Sequence, residues 1–323
     1  MGGRARVAEH GARRRLRRRH DADDGGSGRR RRTVTAWRVR GAELSWQRTP
    51  LLMAIVNATP DSFSDGGLYA KADAAAAHAR RCVADGAALV DVGGESTRPG
   101  ASRVAAIEQV ARAIPVVERL SALGAAISID TTQSSVARAA LAAGAQVIND
   151  VSAGTEDPEI LTVAAQASCG LVLMHRLVPP DRDRYSDAYE QAPVYGDVVR
   201  EVRDWLADRA EAAQQAGVAR EHIALDPGLG FGKSVAQNYE LISHLPELVA
   251  LGFPVVIGAS RKSFVAAVTG GQPPELRVHG SIGVGIAAAM GGAAVLRVHD
   301  VAPHRQALAA WCAATRASQD RVS

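Results

Sequence analysis

The residues able to do chemistry in this chain recur at one kind of place, the end of a short apolar run. Leu52–Val56 leads into Asn57, Ala88–Val92 into Gly93-Gly94-Glu95-Ser96-Thr97-Arg98-Pro99, and Ala126–Ile129 into Asp130-Thr131-Thr132. Gln146–Ile148 leads into Asn149-Asp150, Leu171–Met174 into His175-Arg176, and Ile223–Leu225 into Asp226 and a glycine-rich segment ending at Lys233. Val255–Ile257 precedes Ser260-Arg261-Lys262-Ser263, and Val295–Val298 carries Arg297 and runs into His299-Asp300. Arg297 and His299 stand two apart, so on a strand both side chains point to one face. Only three lysines (71, 233, 262) occur in the chain, against 35 arginines. Arg does not replace Lys where a compact ammonium must fit beside a ligand atom. That singles out Lys262, while Lys233 reads as an ordinary helix-start residue. Asp130 or Asp226 alone reads equally well as a helix N-cap. Polar groups at the end of every run read instead as one converging site.

The elements that must position these groups follow from the pattern. The eight runs are continuously apolar, as strands buried on both faces are. Between them lie alanine-rich helical stretches at 72–85, 103–123, 134–143, 158–167, 198–216, 236–251, 281–290 and 301–314, with a shorter one at 262–268. Several end before a glycine (Gly86, Gly124, Gly144, Gly217, Gly252), the usual C-terminal punctuation. Eight strands alternating with eight helices fit an α/β fold of the (β/α)8 type, a TIM barrel, whose chemistry lies at the C-terminal ends of the strands. A doubly wound open sheet is the alternative. Upstream, Trp37–Val39 and Leu44–Trp46 flank Arg40-Gly41-Ala42-Glu43 and read as a short N-terminal β-hairpin that plugs the barrel bottom.

Composition narrows the function further. The chain has 323 residues, 47% hydrophobic and 22% charged, an ordinary globular mix. Aromatics at 4% argue against stacking-based nucleic-acid binding. No apolar run of about 18 residues suggests a membrane span. Cys82, Cys169 and Cys312 lie too far apart for a disulfide framework or a zinc spacing and fit a reducing cytoplasm. The net charge of +4 is unevenly spread: residues 1–32 carry +8, so the rest is mildly acidic. Residues 1–33 therefore read as a disordered basic tail and 34–323 as a single catalytic domain. The tail reads as a dispensable extension, with an arm for nucleic acid as the competing idea. No apolar stretch follows its arginines, so a secretory signal is not expected.

The strand-end segments resemble the dihydropteroate synthase family. The matching stretches are Asn57–Gly67 (NATPDSFSDGG), Gly93–Ala101 (GGESTRPGA), Ser128–Thr131, Val147–Val151, Leu173–His175, Asp226–Lys233 (DPGLGFGK), Ser260–Phe264 (SRKSF) and Arg297–Val301 (RVHDV). Together they span nearly the whole chain from Leu52 onward. The resemblance implies condensation of 6-hydroxymethyl-7,8-dihydropterin pyrophosphate with p-aminobenzoate to 7,8-dihydropteroate and pyrophosphate, SN1-like, in a cytoplasmic homodimer. It assigns Asp226, Asn149 and Asp130 to the pterin edge, Lys262 to the ring's acceptor atoms, and Met174 to the ring face. It assigns Arg297, His299, Arg98 and Asn57 to the diphosphate, and makes Asn57 the ligand of a Mg2+ cofactor. It places Thr97, Pro99, Phe231, Ser260 and Arg261 around p-aminobenzoate and lets Asp61 stabilise the cation. The loops Thr59–Gly67 and Glu95–Gly100 are its movable covers.

Two departures from the family pattern stand out. After Met174-His175 the chain reads Arg176-Leu177-Val178-Pro179-Pro180 and a charged stretch, 181–190, that looks like an insertion. Residues 277–291 are glycine-rich, in a region that lies near the dimer surface in the family. A degenerate paralogue without synthase activity and a methyltetrahydrofolate methyltransferase are the competing readings. The first has no missing strand-end residue to support it, and the second has no diphosphate for Arg297 and His299 to hold. Deleting residues 1–32 is expected to leave turnover unaltered; a large loss on assaying the shortened chain would make the tail functional.

Overall fold

Each apolar run becomes a parallel strand, and the alanine-rich stretches become the helices that return the chain to the start of the next strand. The computed structural model describes residues 34–58 and 68–319. Its strands are β1 (Ala36–Val39), β2 (Ala42–Ser45), β3 (Leu51–Asn57), β4 (Leu89–Gly93), β5 (Ala126–Asp130), β6 (Val147–Asp150), β7 (Gly170–Met174), β8 (Ile223–Asp226), β9 (Val256–Ile257) and β10 (Val295–Val298). The helices are α1 (Leu68–Ala84), α2 (Ala106–Leu120), α3 (Ser134–Ala142), α4 (Glu159–Ala167), α5 (Val198–Gln215), α6 (Val235–Ser243), α7 (Leu245–Val249), α8 (Ser263–Thr269), α9 (Val278–Met290) and α10 (Val301–Gln319). The hydrogen-bonded order is β8-β7-β6-β5-β4-β3-β10-β9, all parallel. A bridge between Leu225 and Val255, with the Leu225 N–H donating to Pro254 O at 2.9 Å, brings β8 back to β9. This is the (β/α)8 barrel that the alternation of elements implied.

The strands read as uniformly apolar because their two faces are buried against different partners. Leu52, Ala54, Val56, Val90, Val92, Ile127, Ile129, Leu171 and Leu173 point outward and pack with helix residues such as Ala75, Ala79, Val116, Val117, Ile160 and Leu206. Met53, Leu89, Ala126, Val147, Val172, Ala224, Val256 and Val295 point inward and fill the lower barrel. Side chains two residues further along each strand lie on that same inner face, one layer higher. There the character changes: Asp91, Ser128, Asn149, Asp226 and Arg297 replace the hydrocarbon. The inner barrel is thus dry at the bottom and polar at the top.

The hairpin closes the dry end. β1 and β2 pair from Ala36–Ser45 to Val39–Ala42, so the turn is the two residues Arg40-Gly41, with Gly41 at φ +74°. It is tighter than the four-residue turn expected, because Ala42 and Glu43 join the ladder. Trp37 is fully buried against the inner apolar layer, and its indole N–H donates to His222 O at 2.8 Å. Arg40 and Gln146 exchange hydrogen bonds at 3.2 and 3.0 Å. Gly170 opens β7 where a Cβ would lie 2.9 Å from Val39 and 3.0 Å from Trp37. The absence of a side chain at Gly170 is what lets the plug seat.

Other boundaries shift for local reasons. The stretch 236–251 divides into α6 and α7, because Pro246 near the start of α7 cannot continue the α6 hydrogen-bond ladder. α2 starts at Ala106 rather than Arg103, since Arg103 and Val104 bond to acidic side chains instead. α9 begins at Val278, three residues before the expected start. The loop 59–67 and the tail 1–33 lie outside the described residues. No helix among the described residues is long and apolar enough to cross a membrane. Trp37→Ala is expected to cost about 3–5 kcal/mol, the range for deleting a large buried aromatic, measurable by denaturant unfolding; a loss under about 1 kcal/mol would mean the hairpin does not seal the barrel.

Candidate active site

The inner polar layer is organised around Arg297. Its Nε donates to Asp91 Oδ2 at 2.7 Å and its Nη2 to Asp130 Oδ2 at 2.8 Å. Asn149 Nδ2 also donates to Asp91 Oδ2, at 2.9 Å. Arg297 of β10, which pairs with β3 on the side away from β4, thus meets β4 and β5 directly and β6 through Asp91. Burial works against the Arg297 charge, and Asp91 and Asp130 more than offset it. Burial, opposed by Arg297, holds the Asp130 carboxyl above the usual range. Asp91 Oδ1, Ser128 Oγ and Asp130 Oδ1 are buried without a hydrogen-bond partner among the described residues. Orphaned buried acceptors and hydroxyls mark where a ligand or an ordered water bonds.

Asp226 ends β8 beside this layer. Its Oδ1 accepts from Gly228 N at 2.7 Å. A Cβ at Gly258 would lie 3.9 Å from both Asp226 Oδ2 and Lys262 Nζ, so the bare glycine leaves the space in front of this pair open. Burial raises the Asp226 carboxyl, with Lys262 and the Gly228 N–H opposing. Burial also lowers the Lys262 ammonium to about 8, with Asp226 holding it up. Lys262 donates to Leu229 O and lies 4.4 Å from the Phe231 ring centre. Phe231 in turn packs with Met174 and Val151.

Lys233 is not the simple helix-start residue its position suggested. It is fully buried, and its Nζ lies 3.0 Å from Gly228 O, 2.9 Å from Phe231 O and 3.0 Å from His175 Nδ1. Three acceptors saturate one ammonium. Burial, then the adjoining Lys233, drive His175 down to about 2, so it is the neutral acceptor. Gly228, at φ +66°, presses so close to His175 that a Cβ would stand 1.8 Å from its carbonyl oxygen. Lysine and glycine together fold the segment after Asp226 back onto the end of β7.

Above this layer lies a cavity of about 210 Å3. Asn57, Arg297 and His299 form part of its lining, as do Thr97, Arg98 and Pro99 from the loop after β4. Phe231, Ser260, Arg261 and Lys262 line it too. Ser260 Oγ accepts from His299 N and lies 3.1 Å from His299 Nδ1. Burial, then Arg261 and Arg297, hold His299 down to about 3. Arg261 adopts φ +60°, a conformation rare outside glycine, and its guanidinium is clamped by Asp300 at 2.9 and 2.6 Å. The loop after β4 is tied down at its far end. Glu95 accepts from Val104 N at 2.8 Å, and Arg103 and Arg176 converge on Glu156.

The structure therefore gathers Asn57, Thr97, Arg98, Pro99, Asp130, Asn149, Met174, Asp226, Phe231, Ser260, Arg261, Lys262, Arg297 and His299 at one end of the barrel. Asp61 lies outside the described residues. Sequence reasoning missed Asp91, Lys233 and Asp300. For Asp91 a signal existed: a carboxylate inside an apolar run, in phase with Leu89 and so on the inner face. Asp91→Ala is expected to destabilise the fold by about 3 kcal/mol, because it removes one of the two carboxylates paired with the Arg297 guanidinium and the acceptor of the Asn149 amide; equilibrium unfolding within about 1 kcal/mol of the parent would refute the central role of this pair.

Comparison with known proteins places this geometry in a family. The family model described as pterin binding enzyme matches residues 53–299. A dihydropteroate synthase of Synechocystis sp. is 44% identical over 258 residues, covering 79% of this chain and 87% of that protein. That of Mycobacterium leprae is 46% identical over 256 residues, covering 77% and 88%. Among solved structures, Xanthomonas albilineans dihydropteroate synthase with 4-aminobenzoic acid superposes with a TM-score of 0.80 at 45% identity, covering 88% of this chain and 99% of that one. The same organism's enzyme in complex with 7,8-dihydropteroate gives 0.76 at 43%, covering 87% and 98%. With the barrel, the inner polar layer and these relatives in agreement, the chain belongs to the pterin-binding enzymes and, within them, to the dihydropteroate synthases.

Proposed function

We propose that the chain joins 6-hydroxymethyl-7,8-dihydropterin pyrophosphate to p-aminobenzoate, releasing 7,8-dihydropteroate and pyrophosphate, with roles divided between the inner layer and the cavity above it. The observation that carries this reading is the meeting of two recognition chemistries at Arg297. Below it stand acceptors and an amide (Asp130, Asn149, Asp226), and beside it in the cavity wall stand donors (His299, Arg98, Lys262). A pterin presents a ring N–H, an exocyclic amine and a carbonyl along one edge. The Asp226 carboxylate faces such a pair of donors bidentately, Asn149 and Asp130 complete the edge, and Lys262 donates to the ring's acceptors. Met174 covers the ring face.

Departure of pyrophosphate develops negative charge on the oxygen that leaves the pterin methylene carbon. Preorganised donors at that place lower the barrier, a task for Arg297, His299 and Arg98. Burial, then Arg261 and Arg297, hold His299 neutral, so in this reading it serves as a neutral hydrogen-bond donor beside the cationic Arg297 and Arg98. The C–O bond breaks first in this reading, and the pterin methylene cation is then attacked by the amine nitrogen of p-aminobenzoate, framed by Thr97, Pro99, Phe231, Ser260 and Arg261. Water competes for such a cation and must be excluded, the task of the loops 59–67 and 95–100, with Asp61 stabilising the cation.

Mg2+ fits the donor set around Asn57. The Asn57 side chain lines the cavity with Arg297 and His299, and no cluster of three or more His, Cys, Asp or Glu side chains suited to a metal occurs among the described residues. One amide oxygen with diphosphate oxygens and waters is the coordination that a strongly hydrated, hard cation accepts. Bound there, Mg2+ would neutralise diphosphate charge. The barrel, 34–323, acts as the single catalytic domain in the cytoplasm, with the tail 1–33 taking no part. A homodimer through the face that carries the glycine-rich α9 completes the reading. The decisive experiment is release of pyrophosphate from the dihydropterin substrate with Mg2+, with and without p-aminobenzoate, in the parent and in Asp226→Ala. Dihydropteroate is expected from the parent, with pterin binding abolished in the variant; near-normal pterin affinity in Asp226→Ala would overturn the assignment of the edge.

A further inference from the structure

The segment between β7 and α5 departs most from the family pattern, and the structure makes it a strap across the mouth of the barrel. Three tethers hold it. Gly100 N, in the loop after β4, donates to Pro180 O at 2.8 Å. Gly232 N, in the loop after β8, donates to the buried carboxylate of Asp183 at 3.0 Å. Ser186, also buried, donates its N–H to Ser263 Oγ at 3.1 Å, and its own Oγ accepts from Asn238 Nδ2 at 3.0 Å. The strap therefore touches the loops after β4, β8 and β9, which carry the residues assigned above to p-aminobenzoate.

Tyr185 lies between two of these anchors. Its neighbours on either side are pinned within three residues, at Asp183 and Ser186, so the backbone that carries the ring is set without a ligand. Tyr185 is 46% exposed, and it lines the same cavity as Thr97, Pro99, Phe231 and Lys262. Its hydroxyl makes no hydrogen bond to a described residue. A phenol ring held on a fixed backbone and half exposed beside the cavity offers a face or an edge to a planar aromatic guest, and such contacts are worth about 0.5–1.5 kcal/mol beyond buried area. Phe231 and Tyr185 are the two phenyl-bearing side chains among the described lining residues. Phe231 is already engaged by Met174, Val151 and Lys262, whereas no ring-stacking or cation contact to Tyr185 occurs among the described residues.

We propose that Tyr185 is a specificity-determining residue for the aromatic amine, presented by the strap as the outer wall against which the p-aminobenzoate ring rests. The inference deepens the synthase reading and rests on it. It accounts for why an acidic, serine-bearing strap is anchored to three separate loops: the anchors convert an exposed tyrosine into a fixed surface. It also predicts that the contact is made by the ring rather than the hydroxyl.

The test is steady-state kinetics of the full chain and of Tyr185→Ala and Tyr185→Phe, varying p-aminobenzoate at saturating dihydropterin pyrophosphate. Dihydropterin pyrophosphate binding is measured separately by calorimetry, and thermal unfolding is followed for each protein. Tyr185→Ala is expected to raise KM for p-aminobenzoate about 5–10-fold, the factor that about 1–1.4 kcal/mol represents. kcat, pterin affinity and melting temperature should stay within the parent's range, and Tyr185→Phe should restore the parent KM. A KM within twofold of the parent in Tyr185→Ala would overturn the proposal. So would a parallel loss of kcat, pterin affinity and stability, which would make the residue part of the scaffold. Failure of Phe to restore KM would overturn the ring contact. Should the parent form no dihydropteroate, the synthase reading falls. Binding of p-aminobenzoate in the presence of pyrophosphate then decides Tyr185 by itself, weakened 5–10-fold in the Ala variant or unchanged and the wall refuted.

Discussion

A guanidinium inside the barrel, held between two carboxylates from neighbouring strands, is the constraint on which the rest of this structure depends. Charges survive there only because each is paired. Arg297 has Asp91 and Asp130, Asp91 also takes the Asn149 amide, and Asp226 stands beside Lys262. Taking such ions out of water costs several kcal/mol apiece, and good geometry is what offsets it. The pairing also orients. An arginine bonded on Nε and Nη2 has little freedom to turn, so what it presents upward to the cavity is set before any ligand arrives.

The dry half of the barrel makes this layer effective. Eight inward apolar side chains and the buried Trp37 exclude water from below, so the ion pairs above are screened by protein rather than solvent and their fields stay strong. The same exclusion explains the displaced proton affinities at the top of the barrel. His299 is pushed down to about 3 by burial and its two arginine neighbours, and Lys262 to about 8 by burial against the pull of Asp226. Both shifts favour the neutral form of the group.

Around the layer the chain spends many polar contacts on holding loops. Lys233 fastens the segment after β8 through three acceptors, Asp150 orders the turn after β6 by accepting from Ser152 and Gly154, and Asp300 holds Arg261 in its left-handed backbone. None of these groups has to touch a ligand. Each fixes a neighbour that does, and that division is invisible in a list of strand-end residues. Asn149 and Asp150 show it most simply: adjacent in the chain, one points into the barrel and the other caps a turn outside it.

Much of this was legible in the chain alone. Continuous apolar runs, glycine stops and polar strand ends specify a barrel and locate its active end, because those features arise from local periodicity and from the burial of both strand faces. The family resemblance then named most of the residues that line the cavity. What the chain alone could not decide was pairing across the barrel. Whether Arg297 meets Asp91, 206 positions away, or whether Lys233 starts a helix or staples a loop, depends on which strands stand opposite and how far the interior excludes water. Asp91 lies unremarked inside the run 88–92, and Tyr185 is one residue of an insertion. Only closure of the sheet, which sets distances between residues remote in sequence, put the first at the centre of the charge network and the second in the cavity wall.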